Sequence, residues 1–387
     1  MFWRMIGSKK FMLAAFVSAF FVMLAACAAD TGGNENGAEA SENNNTAEEA
    51  GNDNNNNNEE AANNNDGAVT SDEGGDHNLT VSHFLPANHP IHQNVLTTLA
   101  EDLEERTNGR ITSDIYDNNQ LGAPGAHYDM AVTGEADLSL SVHAYSSGRF
   151  PIATVIDLPF LVESAEKGGE IFWTLYEEFE ELQEEHNDTT PLFLFSAEPA
   201  QILSPDKKIE SPEDLQGLRV RTPSPAGAEM LEALGATPVT MPMGEVYEAL
   251  ERGAIDAAMA PFSTLADYSF YEVVDYVTVG NFSATPFFGV MNTDVYNSLS
   301  DSDKAVLDDL TQLDMSMHAG AVFDQAGENG YNAGAENGVE FIELSGDNLA
   351  AWEEAFQPIV EKWIEDMAAQ GVPAQEMYDR AVEIRNN

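Results

Sequence analysis

Apolar positions recur along this chain with two periods, and the alternation between them sets out its elements. LTVSHF (Leu79–Phe84) alternates like a short strand, and Leu96, Leu99 and Leu103 then fall on one face of a helix expected from Ile91 to Arg106. Asn108-Gly109 stops that helix and turns the chain. ITSDIY reads as a second strand. NNQLGAPG leads into a helix around Tyr128–Thr133, and LSLSV follows as a third strand. After a Pro-bounded connection (FPIATVIDLPF) comes a helix carrying Phe172, Leu175, Tyr176 and Phe179. PLFLFSAEP is apolar enough to sit in the centre of a sheet. The order strand, helix, strand, helix, strand then repeats from Gly217 to Met259. Two units of one order imply two similar α/β lobes with helices on both sheet faces.

The remaining pattern closes the molecule. TPFFGVMN reads as a strand returning across it. Ser300–Met317 is helical, with Ser300 and Asp303 as cap and first-turn acid. The helix continues toward Ala335, although Gly320, Gly327, Gly330 and Gly334 count against that extension. VEFIEL is a short strand. Trp352, Phe356, Val360, Trp363 and Met367 mark a final amphipathic helix.

The N-terminal part does not belong to this fold. Arg4, Lys9 and Lys10 precede an apolar run from Phe11 to Ala26, which is short for a membrane span and suits a secretory leader over residues 1–26. The leader ends in Leu24-Ala25-Ala26-Cys27, which resembles a bacterial lipoprotein signal, and Cys27 is the only cysteine. Lipidation at Cys27 would tether the protein to the outer face of the cell membrane. Residues 27–78 are rich in Asn, Glu, Asp and Gly, and they bury too little to fold; a flexible acidic linker is expected. Residues 79–198 with about 285–326 are assigned to the first lobe. Residues 199–284 with about 327–387 are assigned to the second lobe, including the hinge-spanning and C-terminal helices.

The formal charge of −51 excludes nucleic acid as a partner class and suits a salty or alkaline habitat, where ions screen self-repulsion. It also sharpens one position. Three of the 16 cations lie in the leader, and 13 remain beyond residue 78. Among them Arg221 stands at the C-terminal end of the strand in LRVRTP, the edge where open α/β sheets bind ligands. Its guanidinium fork matches a carboxylate with two parallel hydrogen bonds. The competing reading is a surface or interlobe ion pair. Arg219 is the more solvated of the two.

Several blocks in one order resemble the extracytoplasmic solute receptors of tripartite ATP-independent periplasmic (TRAP) transporters. The strongest are EDLQGLRVRTPS (Glu213–Ser224), ALGATPVTMPMGEVYEALERGAID (Ala233–Asp256) and FGVMNTDVYNSL (Phe288–Leu299). YDNNQLG, GEADL and RFPIATVIDLPFL add weaker support. The resemblance spans Leu79–Asn387 and implies a two-lobe periplasmic-binding-protein-like fold with crossing hinge strands and a long helix spanning the lobes. It further implies capture of an organic acid and its delivery to the small and large membrane subunits of a permease. No cofactor and no ATP site are implied. The family's anchoring arginine falls on Arg221. Other family positions differ: a second hinge arginine falls near Gln201, a Glu-Asn pair on Met259 and Ala260 before Pro261, and charged first-lobe residues near Val142 and Tyr145. The resemblance therefore points away from sugar acids, toward a smaller or more apolar carboxylate such as an aromatic or branched keto acid.

Other candidates carry two readings each. Gln201 donates to the same carboxylate or serves the hinge backbone. Phe262 and Phe160 contact an apolar ligand or fill the core. His143 and Tyr145 end one first-lobe strand and Phe84 another, at the edge suited to a site. His83, His89 and His92 cluster in sequence without a metal-ligand spacing, and no EF-hand loop is present, so no metal is expected. No nucleophile elbow, phosphate loop or zinc-protease motif occurs, and no enzyme is expected. A lipoprotein that senses a ligand and signals to a membrane kinase is the alternative.

Overall fold

The computed structural model describes residues 75–387. The leader, Cys27 and most of the expected linker lie outside the described residues. The first strand β1 (His77–His83) begins two residues before the expected Leu79, because the His77 N–H pairs with the Arg110 carbonyl at 2.7 Å. A wide π turn over His92–Leu96 opens the following helix α1 (Thr97–Arg106). Then come β2 (Ile111–Tyr116), α2 (His127–Thr133) and β3 (Leu138–Val142). Helices α3 (Ala165–Glu178) and α4 (Glu180–Glu184) precede β4 (Thr190–Ser196).

The chain then enters the second lobe through β5 (Gln201–Ser204). It continues with β6 (Arg219–Thr222), α5 (Pro225–Ala233), β7 (Thr237–Thr240), α6 (Val246–Glu251) and β8 (Ala257–Ala260). Helix α7 (Ser263–Asp267) and β9 (Tyr276–Val279) follow. Strand β10 (Pro286–Met291) returns to the first lobe, with α8 (Thr293–Ser298) and α9 (Asp301–Leu310) behind it. Helix α10 (Gln312–Glu336), β11 (Glu340–Glu343), α11 (Asp347–Ala369) and α12 (Ala374–Arg385) complete the chain.

The first sheet has the order β2-β1-β3-β10-β4, with β10 antiparallel to both neighbours. The second has the order β11-β9-β5-β8-β6-β7, with β6 parallel to β7 and β8. Apolar side chains cover both faces of each sheet. Phe287 and Phe288 show the alternation: they are neighbours on β10 and enter separate clusters.

Two strands cross between the lobes side by side, at 197–200 and 280–285. Backbone hydrogen bonds join them: Ala197 N to Thr285 O at 3.0 Å, Ala200 N to Ser283 O at 2.7 Å and Phe282 N to Ala200 O at 2.9 Å. Helix α10 is a third connection, packed on α3 and β4 in the first lobe and on α7 in the second. Its glycines do not end it. A Cβ at Gly320 would run into the Ala165 carbonyl, and one at Gly330 into the Phe262 carbonyl. They are close-approach positions, and tertiary packing outweighs their low helix propensity. The expected continuous helix from Ser300 is broken instead at Thr311, whose hydroxyl bonds the Leu307 carbonyl at 2.8 Å. The C-terminal part needs one reassignment: Trp352 and Phe356 of α11 pack into the second lobe, but α12 lies on α3 of the first.

Candidate functional site

Strand β6 fixes the central residue. Arg219, at its start, pairs with Asp256 at 2.8 Å and is exposed. Arg221, at its end, is 1% exposed. The guanidinium is held by carbonyls of the two flanking segments. Nε and one terminal nitrogen donate to Met241 O at 3.0 and 2.9 Å, and the other terminal nitrogen donates to Met259 O at 3.0 Å. Three of the five N–H groups meet these carbonyls, and the Tyr145 hydroxyl takes a hydrogen bond from the guanidinium as well. Among the described residues, no carboxylate pairs with it. Burial lowers its pKa below the usual arginine value, with the nearby Tyr145 hydroxyl as the main opposing influence.

This cation lines a narrow cleft between the lobes, with a cavity volume of about 40 Å³. The first lobe contributes Phe84, Leu85, His89, Val142, Tyr145 and Phe287, and the spanning helix contributes Phe323. The second lobe contributes Pro223, Met243, Met259, Ala260, Pro261 and Tyr268. The aromatic wall is continuous: Phe84 meets Tyr145 edge-on at 5.4 Å and Phe287 at 6.1 Å, and Phe287 meets Phe323 at 5.4 Å. The lobes touch here, since the Tyr145 hydroxyl accepts the Met243 N–H at 3.1 Å. At the far wall His89 Nε2 lies 3.8 Å from Asp267 Oδ2. This is no ion pair at neutral pH. Burial, helped by His92, pushes His89 down to about 3, and burial raises Asp267 to about 7. The lining thus carries one fixed positive charge in an apolar setting.

Of the sequence candidates, the cleft brings together Arg221, Tyr145 and Phe84. Four others lie elsewhere. Gln201 is spent on the hinge: its amide donates to Pro199 O at 2.9 Å and Asn281 Oδ1 at 2.6 Å, and its oxygen accepts from Gly280 N and Asn281 N. Phe262 packs on Tyr331 and Phe341, at 5.5 and 5.9 Å, away from the cleft. His143 turns to the opposite side of its sheet, sharing Nε2 with His186 at 2.9 Å among Phe150, Phe172 and Phe288. Phe160 packs at a tilt against Phe282 and Phe356, with ring centroids 6.2 and 5.8 Å away. Met243, Tyr268, Phe287 and Phe323 escaped the sequence reading. Only Phe287 had a local signal there, as the strand position alternate to a core phenylalanine. His83 pairs with His92 at 2.9 Å, and among the described residues no three His, Cys, Asp or Glu side chains are grouped to hold a metal. No described helix is long and apolar enough to cross a membrane.

Two sheets joined by crossing strands, with a buried cation in the cleft between them, define a two-lobe solute-binding protein. The profile of bacterial extracellular solute-binding protein, family 7, matches residues 81–366, and the chain belongs to that family. A marine metagenome TRAP solute-binding protein described as specific for aromatic acid ligands, in complex with metahydroxyphenylacetate, is similar to it. It has 28% identity and a TM-score of 0.77, and the match covers 80% of this chain and 99% of that one. A TRAP solute-binding protein from Rhodoferax ferrireducens with copurified benzoate has 25% identity and a TM-score of 0.76, covering 80% and 97%. The C4-dicarboxylate-binding periplasmic protein of Rhodobacter capsulatus is 26% identical over 71% of this chain and 83% of its own length. Other curated relatives match in part: the chain spans 35% of one from Sinorhizobium fredii and 60% of one from Haemophilus influenzae.

Proposed function

We propose that this protein is an extracytoplasmic receptor that closes on an apolar monocarboxylate, with aromatic acids the favoured class, and delivers it to a TRAP permease. One observation carries the reading: a fully buried arginine, held by backbone carbonyls and the Tyr145 hydroxyl and with no carboxylate partner among the described residues, faces an aromatic cleft. A buried cation left without an anion is costly, and a ligand carboxylate removes that cost. Phe84, Phe287 and Phe323 would receive the apolar body, and Tyr145 and Tyr268 would shape its polar edge. The complexes of the similar proteins with benzoate and metahydroxyphenylacetate support this class.

Walls from both lobes let such a ligand favour the closed form over the open one. Lipidation at Cys27 would hold the receptor at the cell membrane beside the permease. No step of this function needs turnover. A thermal-shift screen of organic acids at high salt tests it, because ligand bound to the native state raises apparent stability. Apolar carboxylates should raise the melting temperature. A response confined to polyhydroxylated sugar acids would overturn the assignment.

A further inference from the structure

Tyr145 belongs to the first lobe, where it ends the short turn His143–Tyr145 that follows β3. The turn is closely backed, since a Cβ at Gly125 would meet the Tyr145 carbonyl at 2.7 Å. The ring stands edge-on against Phe84 of the same lobe. The hydroxyl, however, is engaged by the second lobe. It accepts the Met243 N–H at 3.1 Å and a hydrogen bond from Arg221.

These two donors belong to one bonded unit. Arg221 also donates twice to Met241 O, at 3.0 and 2.9 Å, two residues before Met243. The guanidinium therefore fixes the loop that reaches across to Tyr145. A hydroxyl offers two lone pairs and one proton. Two incoming donors fill its acceptor side, so the bond left for Tyr145 to make is one that it donates. A cation and an amide N–H also polarise the hydroxyl toward donation. It lines the cleft together with Arg221, and an anion is the group that takes such a proton best. A carboxylate there would have one donor on each lobe, so the acid group itself would favour the closed form.

We infer that Tyr145 is a positioning residue that latches the closed receptor: its hydroxyl ties the Met243 loop to the first lobe and donates its proton to the ligand carboxylate held by Arg221. This rests on the carboxylate reading of the cleft.

The test pairs small-angle X-ray scattering with stopped-flow titration, using sodium benzoate as the probe. The wild-type protein should bind it and contract. Tyr145→Phe should bind it roughly 10- to 100-fold more weakly, with the loss in the off-rate, and should stay expanded when saturated. A second pair isolates the Met243 N–H. Met243→Pro removes it, and Pro242, with ψ 154°, already has the extended backbone that precedes a proline. Met243→Ala keeps the N–H while shortening the same side chain. Met243→Pro should contract less than Met243→Ala. Contraction of Tyr145→Phe equal to wild type, or equal contraction of the two Met243 variants, would overturn the latch and leave the carboxylate reading standing. A wild-type protein that neither binds benzoate nor contracts would overturn that reading, and the latch with it.

Discussion

Replacing Arg221 by Met tests the cleft where its physics is most exposed. The guanidinium is 1% exposed and bonded to the carbonyls of Met241 and Met259 and to the Tyr145 hydroxyl, so a ligand carboxylate would be its only anionic partner among the described groups. Removing one member of a desolvated charge pair costs about 2–5 kcal/mol. At about 1.4 kcal/mol per tenfold, affinity for the best carboxylate should fall by roughly 30- to 4,000-fold. Folding should suffer less. The variant leaves two carbonyls without a donor, but it also removes a cation that burial already disfavours. Arg221→Lys should rescue only part of the affinity, because a point charge cannot make two parallel bonds. Calorimetric titration at low and high salt is the assay, and the loss should change little with salt because the pair is shielded from solvent. Affinity within about threefold of wild type in Arg221→Met would refute the reasoning.

Three further outcomes follow from the packing. Burial pushes Glu198, at the hinge, up to about 8, although it accepts the Ser263 N–H at 2.8 Å. An acid raised above its unfolded value is protonated in the native state, so its contribution is present at low pH and is lost as pH rises through about 8. Glu198→Gln should therefore gain stability relative to wild type between pH ~5 and ~9, by at most roughly 5 kcal/mol; a pH-independent difference in chemical denaturation would contradict this. Gln201→Ala removes the side chain that ties both crossing strands and leaves the Gly280 and Asn281 N–H groups without their acceptor. It should cost about 1–3 kcal/mol per unpaired group yet keep the rank order of acids bound; a changed rank order would put Gln201 back in the site. Gly330→Ala should cost about 1–3 kcal/mol by forcing α10 away from the Phe262 carbonyl, whereas Gly244→Ala, with open space around it, should be near neutral. Equal melting temperatures for these two variants would count against the close-packing account.

The sequence made the elements legible because each lobe repeats one pattern of periods, and both repeats fold as read. Arg221 was legible because its position on a strand end and its chemistry point to one use. Gln201, His143, Phe160 and Phe262 were not, since each is bounded by residues distant in sequence. Asn281, His186, Phe356 and Phe341 decide their surroundings, and no local pattern reveals those partners. The glycines of α10 show the same limit. Propensity reads them as breaks, and only the facing carbonyls reveal their use. Tyr268 and Phe323 reach the cleft through the docking of α7 and α10, which is a property of the assembled lobes.

The most direct measurement is a matched calorimetric titration of the wild-type protein with benzoate, benzamide and D-glucuronate. The three separate charge from shape and apolar from hydroxylated body. The account predicts that benzoate binds, that benzamide is weaker by a factor on the order of 100 because it cannot neutralise Arg221, and that glucuronate is weaker than benzoate. Benzamide binding as well as benzoate, or glucuronate binding best, would contradict a receptor in which Arg221 recognises the acid and an apolar cleft selects the rest.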